Sequence, residues 1–199
     1  MNDSAEQNLQ KKIKKIGILG GTFNPVHFAH LVIAEQARTQ LHLDEIWFIP
    51  TNIPNLKEKP QIAAEDRLAM LQLALQDNPH FKIKLFELER GGVSYTVDTL
   101  AYLHHKFPAK YYWLLGSDQI EQFGDWKDPD QIVRLATLVG IKRGGFSVIS
   151  SYPVTWLDAP EIKLSSTKIR KMIRADRSVR YLLPDAVISY IKYKKLYQK

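Results

Sequence analysis

Two kinds of hydrophobic pattern alternate along the chain. Short apolar runs are typical of buried strands, and apolar residues that recur every three or four positions are typical of helices with one buried face. The predicted strands span residues 13–19, 45–49, 81–88, 111–115, 136–142 and 154–157. The predicted helices span residues 29–41, 63–75, 96–106, 129–135, 166–175 and 185–193. Residues 51–60 contain two prolines and two asparagines, so we predict a loop there.

Alternation of strands and helices favours a parallel sheet, because parallel neighbours need a crossover connection between them. The predicted fold is a Rossmann-like α/β fold, a doubly wound and mainly parallel sheet with helices on both faces. In such folds, ligands bind beyond the carboxyl ends of the strands at the switch point of the winding. We expect a flexible tail over residues 1–12 and one domain over residues 13–199 that ends in a helical segment.

Composition narrows the function classes. The 199 residues are 45% hydrophobic and include no cysteine, which excludes a disulfide scaffold, thiolate metal sites and a cysteine nucleophile. The sequence has no apolar run of membrane-spanning length and no signal peptide, so we expect a soluble, cytoplasmic protein. Residues 163–199 hold 11 lysines and arginines against two acidic residues. This basic segment favours a polyanionic partner, either nucleic acid or a phosphorylated small molecule, unless it is simply a solvated helical face.

A glycine-rich motif follows the first predicted strand, where residues 20–30 read GGTFNPVHFAH. Paired glycines allow a tight turn, Asn24 and Pro25 are suited to start a helix, and a helix N-terminus binds phosphate. His27 and His30 are three residues apart, so we expect them to share one helix face. The spacing matches neither a P-loop nor the G-x-G-x-x-G motif. A zinc site would need further ligands that the sequence does not offer nearby.

A second motif lies near the C-terminus, where residues 164–171 read LSSTKIRK. Ser165 or Ser166 is suited to cap a helix, and Arg170 lies one turn further along, within reach of a phosphate held at that cap. A capped basic helix is common by itself. After a strand in an α/β chain that already has one phosphate-type loop, it predicts a second phosphate clamp.

Together these motifs resemble those of the nucleotidyltransferase α/β phosphodiesterase superfamily. The resemblance is to the bacterial nicotinate-nucleotide adenylyltransferases within it, and it covers residues 14–197. The family-like stretches are residues 44–50, 94–99 (SYTVDT), 116–118, 126–127, 142–143 and 182–185. Three positions depart from the family pattern: Asn24 stands in place of a frequent Asp, Ala29 in place of Gly, and Leu56 precedes Lys57 in place of His. We expect kinetic tuning from these departures, not loss of function.

The resemblance implies a reaction of ATP with nicotinate mononucleotide that gives deamido-NAD and pyrophosphate, with Mg²⁺ arriving on the ATP and no metal held by the protein alone. The catalytic residues it implies are His27, His30 and Arg170. The ATP-binding residues it implies are Gly21, Thr22, Phe23, Gly116, Asp118, Ser165, Ser166 and Thr167. The residues it implies for the mononucleotide are Lys57, Tyr95, Thr96, Trp126 and Arg143.

Residues 94–96 precede a predicted helix, whose N-terminal amides and dipole suit a carboxylate. We expect no nucleic-acid or membrane partner. The sequence does not decide whether the chain forms a homo-oligomer. Three alternatives remain: a sister adenylyltransferase acting on phosphopantetheine or another phosphorylated acceptor, a nucleic-acid-binding module that uses the basic end, and a scaffold without catalysis. The last would predict damaged motifs, whereas both histidines and Arg170 are present.

Overall fold

The structure is a computed structural model that describes residues 13–54, 60, 62–141, 150–160 and 162–198. The predicted tail over residues 1–12 lies outside the described residues, and so do Lys57 and Arg143. No helix within the described ranges is both long and apolar enough to cross a membrane.

Among the described residues, six strands form one sheet in which every neighbouring pair is parallel. They are β1 (Lys14–Gly21), β2 (Glu45–Pro50), β4 (Phe81–Ile83), β6 (Ala109–Gly116), β7 (Thr137–Ile141) and β8 (Val154–Leu157). A smaller parallel sheet pairs β3 (Ile53–Pro54) with β5 (Val93–Ser94). The order β4-β2-β1-β6-β7-β8 reverses direction between β1 and β6, which places the switch point there. The predicted doubly wound sheet is confirmed.

Helices cover both faces of the large sheet, because the strand side chains alternate between two apolar clusters. Along β2, Ile46 and Phe48 belong to one cluster, whereas Trp47 and Ile49 belong to the other. The first cluster takes buried residues from α1 (Phe28–Gln40), α2 (Ala64–Leu75), α7 (Ser166–Arg174) and α8 (Asp185–Tyr193). The second takes them from α4 (Thr96–Lys106), α5 (Ser117–Glu121), the 3-10 helix Phe123–Asp125 and α6 (Pro129–Leu135).

The strand predicted over residues 81–88 is wrong in its second half. Pairing with β2 ends at Ile83, and the chain then forms the short helix α3 (Phe86–Arg90). Phe86 packs there against Trp47 and Tyr102, with ring centroids 6.5 and 5.1 Å apart. Apolar residues at 81, 83, 85, 86 and 88 fit either periodicity over so short a run, and the aromatic packing on the neighbouring elements decides the outcome. The other predicted strands and helices are present, with bounds that differ by at most two residues.

Gly140 provides a test of the packing at the sheet. A Cβ atom built on it would lie 2.5 Å from the Trp156 ring and 2.9 Å from a Val154 methyl. Because β7 is paired with β6 on its other side, relief of this contact requires β8 or the Trp156 ring to shift. We expect Gly140→Ala to lower the free energy of unfolding by about 1–3 kcal/mol, the usual cost of overpacking, in urea titrations.

Gly124→Ala is the matched control, because a Cβ atom at Gly124 meets no atom within 4 Å. We expect no loss of unfolding free energy from this change. Equal stability of the two variants would contradict the packing described for β7.

Candidate active site

Two adjoining cavities lie at the carboxyl ends of β1 and β6, beside the switch point. The larger, of about 520 Å³, lies between the starts of α1 and α7. The smaller, of about 220 Å³, lies between the end of β1 and the start of α4. Both are lined by Gly20, Gly21, Thr22, Leu115, Asp118 and Gln119. Ligands bound in the two cavities would therefore meet at this shared wall.

The larger cavity brings together eleven of the residues that the sequence predicted for nucleotide binding and catalysis. They are Gly21, Thr22, Phe23, His27, His30, Gly116, Asp118, Ser165, Ser166, Thr167 and Arg170. The smaller cavity is lined by Tyr95, Thr96 and Trp126, which were predicted to contact the mononucleotide. Residues 57 and 143 lie outside the described part of the chain, so the roles predicted for them stay predictions.

The glycine-rich loop turns tightly as it leaves β1. A Cβ atom on Gly21 would lie 3.3 Å from the Phe23 ring, and one on Gly20 would lie 3.2 Å from Trp113. Phe23 itself adopts the left-handed region, with φ 47°. The amide of Thr51 donates to the Gly21 carbonyl at 2.9 Å, which joins this turn to the segment that follows β2.

His27 and His30 stack on each other at the start of α1. Their ring centroids lie 3.7 Å apart with an interplanar angle of 18°. The His27 amide donates to His30 Nδ1 at 3.2 Å, and Phe23 packs edge-on against His30. Because His30 Nδ1 accepts this hydrogen bond, the ring carries its proton on Nε2, and that nitrogen is the donor it can present to an anion. The predicted pairing of the two histidines is confirmed.

Asn24 does not start this helix, which corrects the sequence prediction. Helix α1 begins at Phe28, and the residue at its N-cap is His27. Instead, Asn24 Oδ1 accepts a hydrogen bond of 2.7 Å from the Tyr197 hydroxyl. Its main-chain oxygen accepts another of 2.8 Å from Arg170. The Asn24 side chain is therefore engaged by a distant partner and does not cap a helix.

Helix α7 faces the glycine-rich loop across the larger cavity. Ser165 is its N-cap, and the Ser165 hydroxyl oxygen accepts from the Lys168 amide at 3.2 Å. The Ser166 hydroxyl donates to the Pro25 carbonyl at 2.9 Å, and Arg170 also donates to the Thr167 hydroxyl at 3.3 Å. The starts of α1 and α7 thus border one space, which suits an extended polyanion.

The end of β6 closes the other side of the cavities. Gly116 is the N-cap of α5, and its amide donates to Gln119 Oε1 at 3.2 Å. Asp118 lies in the first turn of α5 and lines both cavities. This short helix was not predicted from the sequence.

Aromatic and charged side chains line the smaller cavity. Trp126 packs against Phe123 with ring centroids 5.4 Å apart. Lys127 lies 4.7 Å above the Tyr95 ring and pairs with Asp98 at 3.1 Å. Tyr95 is also the N-cap of α4, so the first turn of that helix borders the cavity. The aromatic side chains suit a flat ring, and the first turn of α4 suits an anion attached to that ring.

Sequence reasoning missed Glu87, which lines the smaller cavity and is only 3% exposed. The Thr99 hydroxyl donates to Glu87 Oε1 at 2.8 Å. Burial raises the pKa of the Glu87 carboxyl, and hydrogen bonds from Thr99 and Ser94 only partly oppose the rise. A strand over residues 81–88 places Glu87 on the same face as Phe81 and Ile83, so a carboxylate on that apolar face was a usable signal of a buried acid.

Arg67 was also missed. Its side chain is 2% exposed, and its guanidinium donates to the carbonyls of Thr22 and Thr51 at 2.9 and 2.8 Å. Burial lowers the pKa of this guanidinium. Arg67 thereby ties the glycine-rich loop to the segment after β2. The usable signal was an arginine three and four residues before Met70 and Leu71, on the buried face of α2.

Acidic and imidazole groups do not form a metal cluster in the described part of the chain: no group of three or more such side chains is close enough to hold an ion. The carboxylate of Asp118 on the shared wall is one ligand of the type that Mg²⁺ prefers. Since Mg²⁺ usually combines one or two carboxylates with substrate phosphates, this donor set fits an ion that arrives with a nucleotide.

A doubly wound sheet with two phosphate-type helix starts at its switch point is typical of nucleotide-binding proteins, and comparisons with known proteins identify the family. The model of the cytidylyltransferase-like family matches residues 18–172, a span that runs from β1 to α7. The "Probable nicotinate-nucleotide adenylyltransferase" of Lactiplantibacillus plantarum is 48% identical over 94% of this chain and 89% of that relative. The relative of the same name from Oceanobacillus iheyensis is 44% identical over 93% of this chain and 97% of its own length. The chain belongs to the nicotinate-nucleotide adenylyltransferase family.

A solved structure shares the fold at lower identity. Plasmodium falciparum nicotinic acid mononucleotide adenylyltransferase, complexed with NaAD, superposes with a TM-score of 0.75 at 23% identity. The match covers 92% of this chain and 97% of that one. The Rossmann-like architecture therefore extends over nearly the whole of both proteins.

Glu87 leads to a pH-dependent prediction. Its folded-state pKa lies above the usual 4.5, so the stability that the protonated carboxyl contributes is complete below pH 4.5 and is lost as pH rises through the raised value. Glu87→Gln keeps an oxygen acceptor for Thr99 and cannot ionise. We expect this variant to gain unfolding free energy relative to the wild type as pH rises from about 4 to 8 in urea titrations.

Glu89→Gln is the control, because Glu89 lies on the same helix and is exposed. Its stability relative to the wild type should stay constant over this range. A constant difference between the Glu87→Gln variant and the wild type would show that the buried carboxyl does not destabilise the fold when it ionises.

Proposed function

We propose that this chain transfers the adenylyl group of ATP to nicotinate mononucleotide and gives deamido-NAD and pyrophosphate, a step of NAD biosynthesis. The observation that carries the proposal is the pair of cavities with one shared wall. One cavity is bordered by two helix starts and two histidines, and the other by aromatic rings and the start of α4. Such a division suits a triphosphate on one side and a ring-bearing acceptor on the other.

The proposed reaction is the direct transfer that the family resemblance implies, and two adjoining cavities suit it. An oxygen of the acceptor phosphate attacks the α-phosphorus of ATP in line, a new P–O bond forms, and the bond to the bridging oxygen of the leaving pyrophosphate breaks. The protein supplies no covalent nucleophile. Its task is to position both substrates and to stabilise negative charge as that charge moves onto pyrophosphate.

The larger cavity is the proposed ATP site. His27 and His30 donate to the phosphates, together with the main chain of residues 21–23. Arg170 and the hydroxyls of residues 165–167 bind the triphosphate from the α7 side, where the helix dipole adds to their effect. Gly116 and Asp118 hold the adenosine.

The smaller cavity is the proposed acceptor site. Trp126 stacks on the pyridine ring, and the first turn of α4, at Tyr95 and Thr96, receives the nicotinate carboxylate. Lys57 and Arg143 are proposed for the acceptor phosphate on the strength of the family resemblance, since both lie outside the described residues.

Mg²⁺ is the proposed metal, and it arrives with ATP and is bound through the triphosphate. When bound, the ion neutralises charge on the leaving pyrophosphate. We propose a cytoplasmic enzyme without a nucleic-acid partner. Part of the basic segment is engaged within the fold, since Arg170 donates to Asn24 and Lys194 pairs with Asp66 at 3.6 Å.

The histidine pair gives a direct test. We expect His30→Ala to lower turnover about 100- to 1000-fold, because one preorganised donor to the developing charge is lost. Pyrophosphate release at saturating ATP and nicotinate mononucleotide measures this. His105→Ala is the control and should keep its turnover, because His105 is exposed on α4. Near-normal turnover of a folded His30→Ala variant would remove the histidine from the proposed role.

Acceptor choice tests the carboxylate pocket. We expect a higher kcat/KM for nicotinate mononucleotide than for the nicotinamide form at fixed ATP. The amide NH₂ would face helix amides that are themselves donors, and such unpaired polar groups can lower kcat/KM by several orders of magnitude. Equal values, or a preference for the amide, would contradict the pocket at the start of α4 even if adenylyl transfer is observed.

A further inference from the structure

Four side chains hold the loop formed by residues 22–25, and they come from three distant parts of the chain. Arg67 donates to the Thr22 carbonyl, Arg170 to the Asn24 carbonyl and Ser166 to the Pro25 carbonyl. The fourth contact differs, because the Tyr197 hydroxyl donates to the Asn24 side chain. Asn24 is therefore held on its main chain by Arg170 and on its side chain by Tyr197.

Tyr197 is placed within the fold although it lies at the C-terminal end. It is 7% exposed and belongs to the apolar cluster on the α1 side of the sheet. Burial raises the pKa of its phenol, whereas the nearby guanidiniums of Arg170 and Arg67 oppose the rise. The hydroxyl thus lies within electrostatic reach of both arginines that hold the loop.

The backbone that delivers Tyr197 is strained. Lys195 and Tyr197 both adopt the left-handed region, with φ 51° and 62°. Helix α8 just before them is fastened to α2, because Tyr190 donates to Asp66 Oδ1 at 2.8 Å and Lys194 pairs with the same carboxylate. Strained non-glycine residues persist where the surrounding contacts enforce them, and they cluster at functional sites.

From this geometry we infer that Tyr197 is a positioning residue of the triphosphate site: its hydroxyl fixes Asn24, and Asn24 in turn fixes the guanidinium of Arg170. The inference rests on the proposed function only in placing ATP in the larger cavity. The C-terminal end of the chain is then part of the ATP site without touching the nucleotide, and the acceptor cavity does not depend on it.

Tyr197→Phe tests this, because it removes the hydroxyl and keeps the buried ring. We expect the Kd for ATP with Mg²⁺, measured calorimetrically without acceptor, to increase about two- to tenfold, which is the size of one net hydrogen bond. KM for ATP should increase similarly, and KM for nicotinate mononucleotide should stay unchanged. Asn24→Ala should have a similar effect, and the double variant should be no weaker than the weaker single variant.

Tyr190→Phe is the matched control. It removes the other tyrosine hydroxyl that anchors the C-terminal segment, on α8 and away from the cavity. We expect it to lower thermal stability and to leave ATP affinity unchanged, because Lys194 still pairs with Asp66 and the Tyr197 hydroxyl still donates to Asn24. The inference is overturned if the Tyr197→Phe variant binds ATP as tightly as the wild type, or if the wild type does not bind ATP. It is also overturned if the variant's KM for nicotinate mononucleotide increases as much as its KM for ATP. The proposed function fails separately, when the wild type binds ATP but releases no pyrophosphate with nicotinate mononucleotide.

Discussion

The structure depends on how the loop between β1 and α1 is held. A buried carbonyl needs a hydrogen-bond donor, and here the carbonyls of residues 22, 24 and 25 find theirs on side chains of α2 and α7. Those side chains are 45 to 146 residues away in sequence. The loop therefore takes its shape only when both helices are packed on the same face of the sheet. Its phosphate-binding geometry belongs to the whole fold.

The loop that is held in this way lies between two cavities whose lining groups differ. The starts of α1 and α7 offer helix dipoles, hydroxyls and an arginine to one cavity. The start of α4 offers Tyr95 and main-chain amides to the other, where Trp126 adds a second ring. Gly20, Gly21 and Thr22 lie between them, where small side chains let two substrates approach each other. Direct transfer from one nucleotide to the other then needs positioning and charge stabilisation, which preorganised donors supply at low cost.

Much of this was predictable from the sequence, because strand and helix periodicities and the two phosphate-type motifs are local signals. Helix α4 and helix α6 have the predicted bounds, and the two histidines lie side by side as their spacing predicted, although His27 is the N-cap of α1 and not part of its first turn. What failed depended on partners distant in sequence. Residues 81–88 fitted two periodicities, and Asn24 is held by Tyr197, 173 residues away, instead of capping a helix. Arg67 and Glu87 share a face with apolar residues in the sequence, but their charge favours a surface position, and the tertiary packing buries them.

The central claim is that the larger cavity holds the triphosphate and the smaller holds the acceptor. A crystal structure with Mg²⁺ and a non-hydrolysable ATP analogue tests it most directly. The account predicts phosphates between His27, His30 and Arg170, adenosine beside Gly116 and Asp118, and an acceptor cavity left open at Trp126. A triphosphate bound away from the starts of α1 and α7, or an adenine ring stacked on Trp126, would contradict the account.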